Sequence, residues 1–176
     1  VVQHIEALLE EGEIEQALAA IDEAEAQGRG NPLDLTFLRG DACLGLGRAV
    51  DAERHFRAVL RQDPDCPSSR CWLAMSLFLQ WRFDEAETAA AAALDVPDPI
   101  ADAYVVRGAL LERRGEFDES ETWFARAASA APDRIALPVR LSRREFDREV
   151  RMAVRKLPRQ FRQALDRVPG VVQDVP

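Results

Sequence analysis

The sequence predicts an all-α protein: a solenoid of four antiparallel helix pairs, the first clipped, with two further helices behind it. Three observations carry that prediction. Like residues recur at a fixed spacing of 34, the mark of one supersecondary unit repeated along a chain. Within each unit the recurring apolar and small residues fall at helical spacing, as in Ala52, Phe56 and Val59. Turn and helix-stopping residues return at matching places, as Gly47 with Gly115 and Pro64 with Pro132.

The units run over about 1–32, 33–66, 67–100 and 101–134. In the clipped first unit, Gly12, Ala17, Ile21 and Ala24 take the turn and second-helix positions after a shift of 35. The extra residue falls in the loop 27–32, where an insertion is tolerated. The second unit carries Gly40, Ala52, Phe56, Val59 and Pro64; the third answers with Ala74, Ala86, Ala90, Ala93 and Asp98. The fourth returns Gly108, Ser120, Phe124, Ala127 and Pro132. Small residues let paired helices approach closely, and Phe56 and Phe124 fill the space between neighbours. Proline stops the second helix because it lacks an N–H and clashes inside a helix. The third unit is the weak joint, with Ala90 where an aromatic is expected and Trp81 where the turn glycine is expected. Trp72 and Trp81 are the candidates to fill the space from the side.

This pattern resembles the tetratricopeptide repeat family. Tyr104-x3-Gly108, with Ser120-x3-Phe124-x2-Ala127 and Pro132, is the nearest copy of its signature. The resemblance implies a superhelix over residues 1–132 whose first helices line a concave groove, and a function in protein–protein interaction or scaffolding. Carried over, the groove positions are Asp34, Phe37, Asp41 and Leu44 in the second unit. In the third they are Ser68, Cys71, Met75, Phe78 and Leu79, and in the fourth Asp102, Val105, Ala109, Glu112 and Arg113. The implied partner is a protein or peptide, basic and apolar to suit an apolar floor with acids at Asp34, Asp41, Asp102 and Glu112. The Lys, Arg and Asn clamp with which family members grip a C-terminal carboxylate is missing from these positions.

After Pro132 the period stops. Residues 133–142 read as an extended linker, because Pro138 disfavours the helical region for Leu137. Ser142-Arg143-Arg144-Glu145 is a capping box, and Phe146, Val150, Ala153, Val154 and Leu157 follow at helical spacing. Pro158 suits the first turn of another helix, with Phe161, Leu165 and Val168 on one face. Val171–Val175 reads as a short strand. The segment 143–176, with Leu157-Pro158 between its helices and Asp174-x-Pro176 at its end, is similar to the opening of small bacterial zincin-like metallopeptidases. That resemblance implies a catalytic H-E-x-x-H helix further along a longer chain, so the alternative function is the front part of a zinc metallopeptidase. The first residue is Val1 and the last are Val175-Pro176, so the chain reads as a piece of a longer protein.

Charge divides the chain the same way. Residues 1–132 hold 25 Asp and Glu against 12 Arg, a net of −13, while 133–176 hold 11 Arg and Lys against 6 acids, a net of +5. The overall charge of −8 speaks against general binding to nucleic acid or anionic membranes. Three cysteines and no signal-peptide pattern point to reduced thiols and a cytoplasmic location. His4 and His55, the two histidines, lack the partners of a helical zinc site, and Cys66-x4-Cys71 lacks a second ligand pair. No G-x-S-x-G, P-loop or G-x-G-x-x-G occurs. No catalytic set, metal site or cofactor is therefore expected in these residues.

Overall fold

The computed structural model describes residues 1–165. The chain forms two compact units that part between Ala136 and Leu137. The first holds α1 (Val2–Glu10), α2 (Ile14–Ala26), α3 (Pro32–Gly45), α4 (Ala49–Gln62), α5 (Pro67–Leu79), α6 (Phe83–Leu94), α7 (Ala101–Arg113) and α8 (Phe117–Ala130). Each unit of the repeat is one pair, α1–α2 through α7–α8.

The start and stop signals act where their chemistry allows. Pro32 and Pro67 open α3 and α5, in the first turn, where a missing N–H costs nothing. Asn31 caps α3, its side chain accepting from the Leu33 amide at 2.8 Å. The first helix of every pair ends in one turn of the same design. The residue after the turn donates its amide back into the helix: Glu13 to Leu8, Arg48 to Cys43, Arg82 to Leu77 and Glu116 to Leu111, at 2.8–3.1 Å. That closure needs a left-handed residue just before it. Gly12, Gly47 and Gly115 supply one, and in the third unit Trp81 adopts it, with φ 63°.

Helix α1 packs on α3, α3 on α5 and α5 on α7, whereas no two of α2, α4, α6 and α8 are in comparable contact. The first helices therefore lie closest together and form one continuous face of the array. The larger core cluster runs through the second to fourth units, and a smaller one of Ile5, Ala17, Ile21, Ala24, Leu35 and Leu38 seals the first to the second. Inside the pairs, size is matched across the gap. A Cβ built on Gly40 would stand 2.8 Å from the Phe56 ring, and one on Gly108 would stand 2.8 Å from Phe124. The third pair has Ala74 and Ala90 at the matching positions, both buried in the larger cluster. Of the two tryptophans expected to fill that space, Trp72 packs against the core cluster. Trp81 does not: it is 73% exposed, because the left-handed turn points it outward.

A polar latch crosses each joint between pairs. Arg39 of α3 reaches Asp22 and Glu25 of α2 at 2.7 and 2.8 Å. Glu53 of α4 accepts from Arg82 at 2.7 Å and from Gln80 at 2.9 Å, both in the α5–α6 turn. Glu87 of α6 takes Arg107 at 3.2 Å and Arg114 at 2.9 Å. Burial raises the Glu53 pKa, but hydrogen bonds from Gln80 and Arg57 and the charges of Arg82 and Arg57 outweigh it and hold the carboxyl below its ordinary value.

The second unit contains α9 (Arg143–Lys156) and α10 (Arg159–Leu165), separated by Leu157 and Pro158. The capping box forms: the Glu145 amide donates to Ser142 Oγ at 3.3 Å, and the Ser142 amide donates to the Glu145 carboxylate at 2.8 Å. No side chain of α9 or α10 is buried. Val168, the expected strand at 171–175 and the Asp174-x-Pro176 ending lie outside the described residues.

Candidate functional site

The face shared by α1, α3, α5 and α7 carries most of the expected groove positions. On α3, Asp34 is exposed in the first turn, and Phe37 is half-buried with its ring 5.6 Å from that of Phe56. Asp41 and Leu44 follow half-buried. On α5, Ser68, Met75 and Phe78 are half-buried and Leu79 is exposed. On α7, Asp102, Val105, Ala109 and Glu112 are half-buried.

Two of these positions depart from the expectation. Cys71 is 0% exposed, so it lies beneath the face and has no surface to offer a partner. Burial pushes its thiol up to about 12; the charge of Asp102 adds to the rise and Arg134 opposes it. Arg113 is exposed, but it belongs to the turn edge of the array. Its guanidinium lies 5.0 Å above the Phe83 ring, and it lines a cavity of about 490 Å³ with Phe83, Asp84, Glu87, Leu110 and Arg114.

Four of the candidates, Asp34, Phe37, Asp41 and Ser68, line cavities at the α1–α3 end. Phe37, Asp34 and Ser68 line an open cavity of about 350 Å³ with Val2, Glu6 and Leu38. Phe37 and Asp41 line another of about 310 Å³ with Glu6, Leu9, Glu10 and Ile14. Each has an apolar floor and an acidic rim. Asp41 has no ion pair or side-chain hydrogen bond among the described residues. Burial raises its carboxyl above the ordinary value, and the negative charge of Asp102 raises it further. Asp102 itself is held by both terminal nitrogens of Arg134, at 2.8 and 2.7 Å.

Sequence reasoning missed Glu6, Leu9 and Glu10. The signal was present: the same 35-residue shift maps Val2 onto Phe37, Glu6 onto Asp41 and Leu9 onto Leu44. It also missed Arg134, which follows Pro132 where the period has ended and which no spacing announces. Of the candidates set aside, Cys43 is buried, His4 is exposed and His55 is half-buried, its pKa lowered by burial and by the charge of Arg39. Among the described residues no group of three His, Cys, Asp or Glu side chains stands close enough to hold a metal ion, and no helix is long and apolar enough to cross a membrane.

Eight helices stacked in pairs, with the first helices sharing one face, define a helical-repeat protein. The chain matches the tetratricopeptide repeat family over residues 2–67, 46–95 and 73–135, and it belongs to that family. Members of the family generally mediate protein–protein interactions and are typically non-catalytic. The match leaves residues 136–176 uncovered, and the likeness of that tail to zincin-like metallopeptidases finds no support in the comparisons. No curated protein matches the chain.

Proposed function

We propose that residues 1–136 form a protein-binding scaffold that holds a basic, partly apolar peptide segment against α1, α3 and α5. The observation that carries this reading is the pair of cavities at the α1–α3 end, whose floors are Phe37, Leu38 and Leu9 and whose rims are Glu6, Glu10, Asp34 and Asp41. An apolar floor supplies area-dependent attraction, and an acidic rim selects charge and speeds encounter. Phe37, Leu44, Met75 and Phe78 are the apolar contacts, Asp34 and Asp41 the charged ones, and Asp102 an internal strut.

Peptides of mixed Arg/Lys and aromatic composition, selected from a display library and titrated by fluorescence anisotropy, test the reading. Phe37→Ala and Met75→Ala should each weaken binding about tenfold or more, the usual size for a buried interface anchor. Asp41→Lys should slow association and flatten its salt dependence. Affinity unchanged by all three would place the binding surface elsewhere.

A second reading, that 143–176 opens a zinc peptidase domain, is favoured by one observation: α9 and α10 are joined by Leu157-Pro158, as the resemblance requires. The parent gene read past Pro176 tests it. An H-E-x-x-H on a helix supports it, and a continuation without one refutes it.

A further inference from the structure

The turn between α5 and α6 lacks the left-handed glycine that its three counterparts share. Gly12, Gly47 and Gly115 hold φ of 79°, 71° and 78°, and Trp81 holds 63°, a conformation that a side chain with a Cβ disfavours. The residues on either side are tied down. Gln80 donates to Glu53 and to the Ala49 and Ser76 carbonyls. Arg82 donates to Glu53 at 2.7 Å and to Glu85 at 2.6 Å. Trp81 is thus projected from between two anchors, its ring 5.9 Å from Phe83, which in turn meets Phe78 at 5.6 Å.

Exposed apolar side chains recur along this turn edge. Leu79, two residues before Trp81, is 48% exposed, and Phe117, at the start of α8 in the next pair, is 53% exposed. Leu46 and Val50 present exposed apolar surface at the matching turn of the preceding pair. Two opposite charges accompany this strip. Arg113 and Asp84 line the same cavity against Phe83, and among the described residues neither has an ion-pair partner.

We propose that this edge is a two-fold interface between two copies of the chain, centred on Trp81. In a two-fold interface one patch faces itself, so that each residue meets a counterpart and the reverse contact repeats across the axis. Such a patch must carry both members of every charge pair beside an apolar centre. Arg113 and Asp84 meet that requirement: Arg113 of one copy faces Asp84 of the other, twice. Trp81 supplies a large, rigid, pre-positioned anchor of the kind that dominates interface energetics. Trp81, Asp84 and Arg113 line neither of the α1–α3 cavities, and the interface is read by self-association, so its failure is distinguishable from a failure of peptide binding.

Sedimentation equilibrium of the full chain over roughly 1–200 µM, a range that spans weak to moderate association, should show the apparent mass rising from 19.7 kDa towards twice that value. Trp81→Gly installs the residue the other turns use and so retains the fold. It should raise the dimer dissociation constant at least ~30-fold, the loss expected of a hot-spot aromatic. Arg113→Asp and Asp84→Arg should each weaken the dimer, and the double reversal should restore it. A chain that stays monomeric throughout overturns the proposal. So does a dimer that Trp81→Gly leaves unchanged, or a double reversal no tighter than the single changes.

Discussion

Ala90→Phe tests the size-matching across the helix pairs most sharply. In the second and fourth pairs a phenylalanine lies against a glycine with no room for one more carbon, as the 2.8 Å approaches to Gly40 and Gly108 show. The third pair has Ala74 and Ala90, exposed by 0% and 1%. A ring at position 90, set as Phe56 and Phe124 are set, would stand against the Ala74 methyl group at that same forbidden distance. Overpacking of this kind costs about 1–3 kcal/mol. Ala74→Gly alone should cost about 1 kcal/mol in helix propensity. If the two changes were independent, the double variant would lose about 2–4 kcal/mol. The size rule predicts otherwise: Ala74→Gly/Ala90→Phe recreates the glycine–phenylalanine pair of its neighbours, so it should be more stable than Ala90→Phe alone, which requires a coupling of more than about 1 kcal/mol. Urea denaturation of all four chains, read from midpoints at constant m, closes the cycle. The reciprocal change, Gly108→Ala, should destabilise the fourth pair, and Phe124→Ala should remove that penalty. Additive losses in both pairs would refute the reasoning.

Other expected outcomes follow from single side chains. Glu53→Ala leaves Arg57 and Gln80 without their shared carboxylate, while Arg82 keeps Glu85, and should cost about 1–2 kcal/mol at neutral pH. Because the folded pKa of Glu53 is depressed, its contribution is present above the unfolded carboxylate pKa and lost as pH falls through the folded one. Denaturation midpoints of wild type and Glu53→Ala should therefore converge in acid. Asp41 has the opposite sign. Its raised pKa means that the charged form costs stability at neutral pH, so Asp41→Asn should stabilise there, with the gain vanishing below the ordinary value of 3.8. The Ser120 hydroxyl is buried without a hydrogen-bond partner among the described residues. Ser120→Ala, which installs the residue used at the matching Ala52 and Ala86, should raise thermal stability by about 1 kcal/mol.

The repeat made the architecture legible because every pair is held by short-range rules that a period exposes: a small residue, a turn, an aromatic, a stop. Ser142 and Glu145 announced their helix start because a capping box is complete within four residues. What stayed hidden depends on chain segments far apart in sequence. The latch of Glu53 with Gln80 and Arg82 spans nearly one repeat length, and nothing at either end distinguishes it from ordinary solvated charge. Cys71 illustrates the limit of transferring positions from a family: its place in the register is right, but its neighbours close over it. In the sequence, Trp81 stands where missing volume invites a large side chain. Its sequence position matched a left-handed turn, and the backbone there directs a side chain away from the core whatever its size.

The three joint latches are alike in chemistry and unlike in their access to water. At the first joint the acids Asp22 and Glu25 are 67% and 47% exposed, whereas the Glu53 side chain at the middle joint is 11% exposed. Mobile ions screen the first pair and barely reach the second. Stacked pairs that touch only their neighbours come apart joint by joint. Ionic strength therefore weakens the joints unequally: added salt takes more from the Arg39 latch than from the Glu53 latch, while the apolar cluster of Ile5, Ile21, Leu35 and Leu38 still joins the first pair to the second. Amide protons of α2 should exchange faster as salt rises and those of α4 should not. The hollow between α1 and α3 keeps its apolar seal of Ile5, Ile21, Leu35 and Leu38 in salt, so ionic strength tunes how firmly one of its walls is held and not whether the wall is there.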